Sequence, residues 1–213
     1  MLTVNEIFHS IQGESTYAGS PCVFVRLTAC DLRCAWCDTA YAFTEGRKMS
    51  LDEILAAVDA TGCPLVEITG GEPLLQDEVY PLMDALLQRG KTVLLETGGH
   101  LSVARVPAGV IKVIDVKCPA SGESARNCLA NLDRLAASDE VKFVIQDRAD
   151  YDFATQVVAH RGLEAGCAAV LFSPVHGVLD PKQLAAWVIA DKLRVRVQLQ
   201  VHKYIWDPQT RGV

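Results

Sequence analysis

Short runs of apolar and β-branched residues recur along the chain, and such runs are typical of buried strands. They span residues 22–27 (CVFVRL), 64–69 (PLVEIT), 92–97 (TVLLET), 110–116 (VIKVIDV), 141–146 (VKFVIQ), 168–173 (AAVLFS) and 194–200 (RVRVQLQ). Several of these runs are apolar almost throughout, as the strands of a parallel sheet are when helices cover both faces. The pattern therefore predicts a sheet that is largely parallel.

The stretches between these runs carry signals for helices. Ser50 followed by Glu53 is typical of a capping box, in which each side chain bonds the backbone of the other residue. Asp180 followed by Pro181 predicts the first turn of another helix. A further amphipathic helix is predicted by apolar residues at helical spacing, namely Val79, Leu82, Met83, Leu86 and Leu87. Strands and helices are therefore expected to alternate.

This alternation predicts an α/β fold. A closed barrel of eight strand-helix units typically takes about 250 residues, whereas this chain has 213. An open, partial barrel and a doubly wound sheet both suit this length, and both bind ligands at the carboxyl ends of their strands. No internal repeat and no long flexible linker divides the sequence, so we expect a single domain over residues 1–213.

Composition narrows the class of protein. A net charge of -6 argues against nucleic acid as a direct partner, because phosphate binding normally requires a basic surface. No apolar run approaches the roughly 20 residues that cross a bilayer, so we expect no membrane partner. The chain opens without an export signal, so we expect a cytoplasmic protein whose 8 cysteines are mostly reduced.

Cys30, Cys34 and Cys37 form a cluster with the spacing C-x3-C-x2-C. It follows the predicted strand 22–27, on a loop that we expect to run to Ser50. Structural zinc sites usually take four protein ligands from two separated pairs, and the other cysteines here are scattered singly. A 4Fe-4S cluster on three thiolates leaves one iron free to bind a small molecule. The spacing favours this cluster over the alternative, a structural zinc loop.

The same spacing resembles that of the radical S-adenosylmethionine enzymes. The resemblance implies a partial, open β/α barrel with about six parallel core strands and a 4Fe-4S cluster on the three cysteines. It also implies that S-adenosylmethionine binds the free iron and that an electron from the reduced cluster cleaves it to a 5′-deoxyadenosyl radical. A different radical enzyme, such as a glycyl-radical activase, and a non-catalytic zinc-binding module are the alternatives.

The resemblance also assigns cofactor contacts to several strand ends. In these enzymes a Gly-Gly-Glu-Pro motif lines the methionine end of the cofactor, and here ITGGEP spans residues 68–73. An aromatic residue before the last cysteine packs near the adenine. The candidate contacts are Trp36, Gly70, Gly71, Glu72, Asp115, Val116, Lys117, Ser173, Pro174, Val175 and His176. The ordinary alternatives are a plain turn for the glycines, a loop anchor for the tryptophan, and solvated strand ends for the charged residues.

Five longer stretches of the sequence resemble one particular family within this class of enzymes. They are NEIFHSIQGES (5–15), CVFVRLTACDLRCAWCDTAYAF (22–43), ITGGEPLLQ (68–76), ETGG (96–99) and QVHKYIW (200–206), and they are similar to the 7-carboxy-7-deazaguanine synthase family. Its members are lyases that convert 6-carboxy-5,6,7,8-tetrahydropterin to 7-carboxy-7-deazaguanine with loss of ammonia, on the pathway to queuosine and other 7-deazapurines. The resemblance also implies Mg2+, a reductant such as flavodoxin or ferredoxin, and a homodimer.

Some residues match positions that bind substrate or metal in that family. The candidate substrate contacts are Ile11, Gln12, Gly13, Arg26, Thr69 and Pro208, after which the chain continues with QTRGV. Thr39 matches the magnesium ligand, and a threonine bonded to its own backbone is the alternative. No residue is assigned as a catalytic acid or base.

The position of Arg26 in its strand is a separate reason to expect that it binds the substrate. It lies near the carboxyl end of a predicted strand, where a cation is costly to bury without an anion. The substrate carboxylate would supply that anion through two parallel hydrogen bonds. A salt bridge to one of the many acidic residues is the alternative.

Overall fold

The computed structural model describes residues 1–213, which form one sheet of nine strands with helices packed against it. The strands are β1 (Leu2–Ile11), β2 (Pro21–Leu27), β3 (Arg47–Met49), β4 (Leu65–Gly70), β5 (Thr92–Thr97), β6 (Ile111–Asp115), β7 (Glu140–Ile145), β8 (Ala169–Pro174) and β9 (Arg196–Val197). The helices are α1 (Leu51–Asp59), α2 (Val79–Gln88), α3 (Arg148–Arg161), α4 (Leu163–Gly166), α5 (Pro181–Ala190) and α6 (His202–Ile205). Short 3-10 helices span Ala40–Phe43, Pro73–Leu75, Pro119–Ser121, Ser124–Arg126 and Leu129–Arg134.

The order of strands across the sheet is β3-β1-β2-β4-β5-β6-β7-β8-β9. Strand β1 pairs antiparallel with β2 and β3, whereas every pair from β2 onward across the sheet is parallel. The edges at β3 and β9 do not pair with each other, so the sheet is open. The structure therefore confirms the predicted α/β class and the largely parallel, open sheet.

The helix starts follow from local sequence. At α1 the Glu53 backbone N–H donates to Ser50 Oγ at 3.2 Å, and the Ser50 N–H donates to the Glu53 carboxylate at 2.7 Å, which confirms the capping box. At α5 the Asp180 carboxylate accepts a hydrogen bond from the Lys182 N–H at 2.9 Å. These contacts satisfy backbone groups that a helix leaves unpaired in its first turn.

Two hydrophobic clusters form the core. The larger has 26 buried residues and joins β1, β2, β4 and β5 to α1 and α2. The smaller has 15 buried residues and joins β7 and β8 to α3 and α5. In α2 the predicted apolar face is buried at Val79, Leu82, Met83 and Leu86. No helix in the structure combines the length and the apolar composition needed to span a membrane.

The structure differs in three places from the elements that the sequence patterns predict. The strand expected at 194–200 is reduced to Arg196–Val197, which is exposed and pairs only with β8 at the sheet edge. The apolar runs do not predict β1, because its polar and apolar residues are mixed on a partly exposed strand. The loop expected to run to Ser50 is interrupted by the turn Ala40–Phe43 and by β3.

Candidate functional site

A cavity of about 730 Å³ opens at the carboxyl ends of the parallel strands. Strands β2 and β4 to β8 each contribute lining residues, as do the cysteine loop (residues 30–37) and the last residues of the chain. The sheet register places Arg26 beside Thr69, and Asp115 beside Lys142. The cavity therefore lies where parallel α/β sheets bind their ligands.

Most of the predicted site residues line this one cavity. They are Ile11, Gln12, Gly13, Arg26, Cys30, Cys34, Trp36, Cys37, Thr39, Thr69, Gly70, Gly71, Asp115, Lys117, Ser173, Pro174, Val175, His176 and Pro208. The folded chain thus brings together positions that are separated by almost its whole length.

Glu72 and Val116 are the exceptions, because both are buried and neither lines the cavity. The Glu72 carboxylate accepts hydrogen bonds from the Leu74 N–H at 3.0 Å and the Gly98 N–H at 2.8 Å, so it joins the glycine loop (residues 70–73) to the end of β5. Val116 belongs to the smaller hydrophobic cluster. Both residues stay predicted cofactor contacts, although neither belongs to the cavity lining.

Cys30, Cys34 and Cys37 are the only ones of the 8 cysteines that line the cavity, and none of the 8 forms a disulfide. Burial raises the pKa of Cys30 and of Cys34, and Lys117 partly offsets this for Cys34. No group of three or more His, Cys, Asp or Glu side chains is placed to hold a single metal ion. The donor set fits a 4Fe-4S cluster, in which each thiolate binds a different iron.

Hydrogen bonds fix the cysteine loop against its neighbours. The Asp31 carboxylate accepts from Arg126 Nη2 at 2.5 Å and bonds His100 Nε2 at 2.7 Å. Burial would raise the pKa of Asp31, but these two partners outweigh it and lower that pKa. The Ala35 N–H donates to the Ser121 carbonyl at 3.0 Å. The loops that follow β5 and β6 therefore hold the cysteine loop in place.

The two glycines after β4 allow the glycine loop to approach the cysteine loop. A Cβ on Gly70, which has φ of +140°, would collide with the Leu27 backbone. A Cβ on Gly71 would collide with the Ala29 carbonyl and lie 2.9 Å from the Cys30 Cβ. Close backbone packing beside the cluster site therefore requires glycine at both positions.

Two buried polar atoms at the cavity lack hydrogen-bond partners within the chain. They are Ser173 Oγ and Asp115 Oδ1, and the second of these has an ionic contact with Lys142 Nζ at 3.5 Å but no hydrogen bond. A buried polar atom without a partner is costly, so it usually has one that the protein chain does not supply. The two atoms fit contact with a polar cofactor such as S-adenosylmethionine.

The chain provides a hydrogen-bond partner for only one of the three nitrogens of the Arg26 guanidinium. Its Nε donates to Glu6 Oε1 at 2.8 Å, and its side chain is 16% exposed. The same Glu6 oxygen accepts from the Tyr41 hydroxyl at 2.9 Å. The salt bridge considered as an alternative for Arg26 is therefore present, but it uses Nε alone. The two terminal nitrogens make no hydrogen bond within the chain and remain free for an anion in the cavity.

A buried ionic network on the cavity floor was absent from the sequence predictions. Lys142 Nζ contacts the carboxylates of Glu14 at 2.7 Å, Asp115 at 3.5 Å and Glu96. Burial would raise the pKa of Glu96, but Lys142 lowers it to about 2. Lys142 and Glu96 are charged positions within otherwise apolar strand runs, the same signal that identified Arg26, so the sequence could have revealed them, whereas Glu14 lies in a loop.

Glu67 is a further buried acid on this floor. It accepts a hydrogen bond from Gln12 Nε2. Burial raises the pKa of Glu67 well above its usual range, and the nearby Glu96 and Glu14 carboxylates add to the effect. Burial thus favours the protonated form of Glu67, whereas Lys142 favours the ionised form of its neighbour Glu96.

The segment around Thr39 carries oxygen ligands. The Thr39 hydroxyl donates to Asp38 Oδ1 at 3.0 Å, and Lys203 Nζ contacts Asp38 Oδ2 at 2.7 Å. Burial opposes ionisation of Asp38, but Lys203 lowers its pKa to about 2. A hydroxyl and an ionised carboxylate are donors that Mg2+ accepts, although they fill only part of its six-coordinate shell.

Comparisons with known proteins agree with this site. Residues 25–112 match the model of the radical SAM superfamily. The fold and the cysteine loop thus define a radical S-adenosylmethionine enzyme, a class that uses a 4Fe-4S cluster and S-adenosylmethionine. The 7-carboxy-7-deazaguanine synthase of Koribacter versatilis is 53% identical, with 100% of both chains aligned. That of Chlorobaculum tepidum is 49% identical over 100% of this chain and 97% of its own. The chain therefore belongs to the 7-carboxy-7-deazaguanine synthase family.

Solved structures show the same relationship. QueE from Escherichia coli superposes with a TM-score of 0.75 at 25% identity, and the alignment covers 94% of each chain. Streptococcus suis SuiB superposes with a TM-score of 0.60 at 12% identity, over 83% of this chain and 47% of its own, and shares the fold alone. The partial barrel predicted from the resemblance is thereby confirmed.

Proposed function

We propose that this chain converts 6-carboxy-5,6,7,8-tetrahydropterin to 7-carboxy-7-deazaguanine with loss of ammonia. The observation that carries the proposal is one cavity that combines three cysteines, the glycine loop and an arginine with free terminal nitrogens. The names of the relatives that align over the whole chain support the same reaction.

The chain's own residues provide for both cofactors. Cys30, Cys34 and Cys37 would hold the 4Fe-4S cluster. When bound and reduced, the cluster and S-adenosylmethionine would supply the radical chemistry needed to abstract hydrogen from C6 of the pterin. The proposed contacts to S-adenosylmethionine are Trp36, Gly70, Gly71, Asp115, Lys117, Ser173, Pro174, Val175 and His176, all of which line the cavity. The unpaired Ser173 hydroxyl supports this assignment.

The remaining lining residues suit a carboxylated pterin. The terminal nitrogens of Arg26 would bind the substrate carboxylate through two hydrogen bonds. Backbone groups of residues 11–13, the Thr69 hydroxyl and Pro208 would contact the ring system. The carboxylate oxygens of Glu14 and Glu96 can accept hydrogen bonds from ring N–H groups, which are the pterin's donors. The cavity thus offers a cation at one side and acceptors at its floor.

We also propose that Mg2+ binds at Thr39. The Thr39 hydroxyl lies in the cavity beside the ionised Asp38, and the substrate carboxylate with water would complete the coordination shell. Titration of the substrate-bound protein with Mg2+ tests this role. Thr39→Val, which keeps the size of the side chain, should raise the Mg2+ concentration needed for half-maximal turnover, and an unchanged value would exclude the site.

The organisation of the protein follows the same family. We propose that residues 1–213 act as one radical SAM core domain, because a single sheet runs through them. Resemblance to the family supports a homodimer, a reductant such as flavodoxin or ferredoxin, and a cytoplasmic location. Eight free cysteines are consistent with a reducing compartment. Light scattering of the purified protein would measure the oligomeric state directly.

The decisive experiment is an anaerobic assay with reconstituted protein. The reduced protein is incubated with 6-carboxytetrahydropterin, S-adenosylmethionine and Mg2+, and the products are identified by mass spectrometry. Formation of 7-carboxy-7-deazaguanine by the native chain, and none by Cys34→Ala, is the expected result. Reductive cleavage of S-adenosylmethionine without conversion of the pterin would instead favour a different radical enzyme, such as a glycyl-radical activase.

A further inference from the structure

The last residues of the sequence run along the cavity and form part of its lining, with residues 207–211 also exposed to solvent. All residues from 208 to 213 line it, and five of them follow Pro208, the last residue given a role above. We call residues 209–213 the C-terminal strap. Its position beside β1, β2 and the turn Ala40–Phe43 places it on the side of the cavity that holds Arg26.

Arg211 is the main anchor of the strap. Its guanidinium carbon lies 3.8 Å from the centre of the Tyr41 ring, and its Nη1 donates to the Glu45 carboxylate at 2.9 Å. Gly212, with φ of +72°, turns the backbone past Glu6, so that a Cβ at this position would lie 3.7 Å from Glu6 Oε2. The strap therefore stacks on Tyr41 and passes close to Glu6.

Tyr41 and Glu6 are the same residues that orient Arg26. The Tyr41 hydroxyl and Arg26 Nε both donate to Glu6 Oε1, at 2.9 and 2.8 Å. The guanidinium of Arg26 also lies 6.0 Å from the centre of the Tyr41 ring and 5.6 Å from that of Phe8. A continuous set of contacts thus runs from Arg211 through Tyr41 and Glu6 to Arg26. Only the terminal nitrogens of Arg26 are left without a partner in the chain.

We propose that the C-terminal strap is a specificity element for the substrate carboxylate, with Arg211 as the positioning residue. By stacking on Tyr41, Arg211 holds the Tyr41–Glu6 pair, which in turn holds Arg26 by Nε alone and keeps its terminal nitrogens directed at the carboxylate. Guanidinium stacking on a tyrosine ring is strong enough to restrict that ring. The inference rests on the proposed function, because it requires a ligand with a carboxyl group.

The test compares two ligands that differ only in that group. Dissociation constants for 6-carboxytetrahydropterin and for tetrahydropterin without the carboxyl group are measured on anaerobic, cluster-loaded protein. Arg211→Ala should weaken the carboxylated ligand by about three- to tenfold and leave the other ligand unchanged. Arg211→Lys, which keeps a cation near Tyr41, should recover part of the loss. A chain that ends at Pro208 should lose at least as much as Arg211→Ala.

Arg105→Ala provides a matched control. Arg105 also stacks on a tyrosine, with 4.1 Å to the Tyr80 ring centre, and pairs with a surface carboxylate, Asp77, at 2.6 Å. It does not line the cavity. Its removal should therefore change neither dissociation constant.

The outcomes separate the strap from the proposed function. If the native chain binds both ligands equally, the proposed carboxylate recognition fails, and the strap's role fails with it. If the native chain prefers the carboxylated ligand but Arg211→Ala and the shortened chain keep the full preference, only the strap inference is wrong. An equal loss for both ligands in Arg211→Ala would also overturn the inference, because it would indicate general damage to the cavity.

Discussion

Two of the cations that line the cavity, Lys142 and Arg26, have surroundings that differ sharply. Lys142, on β7, is met by the carboxylates of Glu14, Glu96 and Asp115. Arg26, on β2, has a single carboxylate partner, Glu6, and its terminal nitrogens have none. The Lys142 ammonium is therefore paired with carboxylates of the protein, whereas the terminal nitrogens of Arg26 remain available to bind an anion. A charged residue in a strand indicates a ligand site only where the fold leaves part of it unpaired.

Removing Lys142 should give the largest effect. Lys142→Met would leave three carboxylates together on the cavity floor without their cation, and breaking a buried ion pair in this way typically costs about 3–5 kcal/mol. Denaturant unfolding should show this loss in the free energy of unfolding. The double variant Lys142→Met with Glu96→Gln should recover part of it. A single variant as stable as the native chain would contradict the structural role assigned to Lys142.

Removing Arg26 should affect binding more than folding. Hydrogen bonds to a charged group contribute about 1.5–3 kcal/mol, so Arg26→Ala should raise the KM for the carboxylated pterin by about 10- to 100-fold. The iron content and the affinity for S-adenosylmethionine should stay close to native, because the only hydrogen-bond partner of the Arg26 side chain is Glu6, outside the cysteine and glycine loops. The measurements are initial rates and iron analysis, with Arg105→Ala as the surface control. An unchanged KM would show that Arg26 serves the fold alone.

Replacing Glu67 should have a smaller effect on the free energy of unfolding, and the size of this effect should depend on pH. Its pKa is raised in the folded chain, so the folded state retains a proton that the unfolded state releases above about pH 4.5. The stability contribution of Glu67 is therefore present at acidic pH and is lost as the pH rises toward its folded pKa. Glu67→Gln cannot lose that proton. Between about pH 5 and the folded pKa of Glu67, the stability of the native chain relative to this variant should fall with rising pH, by at most about 1.4 kcal/mol per pH unit.

Thermal unfolding of both proteins between pH 5 and 8 measures this difference. The glutamine amide can still accept the hydrogen bond from Gln12, so the variant should fold normally. Parallel curves for the two proteins would mean that Glu67 is ionised in the folded chain.

The local parts of this structure could be predicted from sequence, and the long-range parts could not. The Ser50 capping box and the strand at 92–97 depend on neighbouring residues, and both occur as expected. The three-cysteine motif likewise identified the site because its ligands lie within one loop. The hydrogen bonds of Glu72 to Thr97 and Gly98 could not be predicted, because these partners come from another strand end.

The same limit applies to the strap. Nothing local to Arg211 indicates that it stacks on Tyr41, because the two residues meet only when the chain end crosses the cavity. Lys142 had a local signal, a charge in an apolar run, but its three carboxylate partners come from three other segments. Motifs therefore located the site, whereas the balance of charge within it emerges only from the fold.

The claim on which the account depends is that three thiolates in this cavity hold an iron-sulfur cluster. Iron, sulfide and zinc analysis of protein prepared without oxygen, together with its absorption spectrum, tests it directly. The account predicts a brown protein with about four irons per chain and loss of that iron in Cys34→Ala. A colourless protein with stoichiometric zinc and no iron would contradict it.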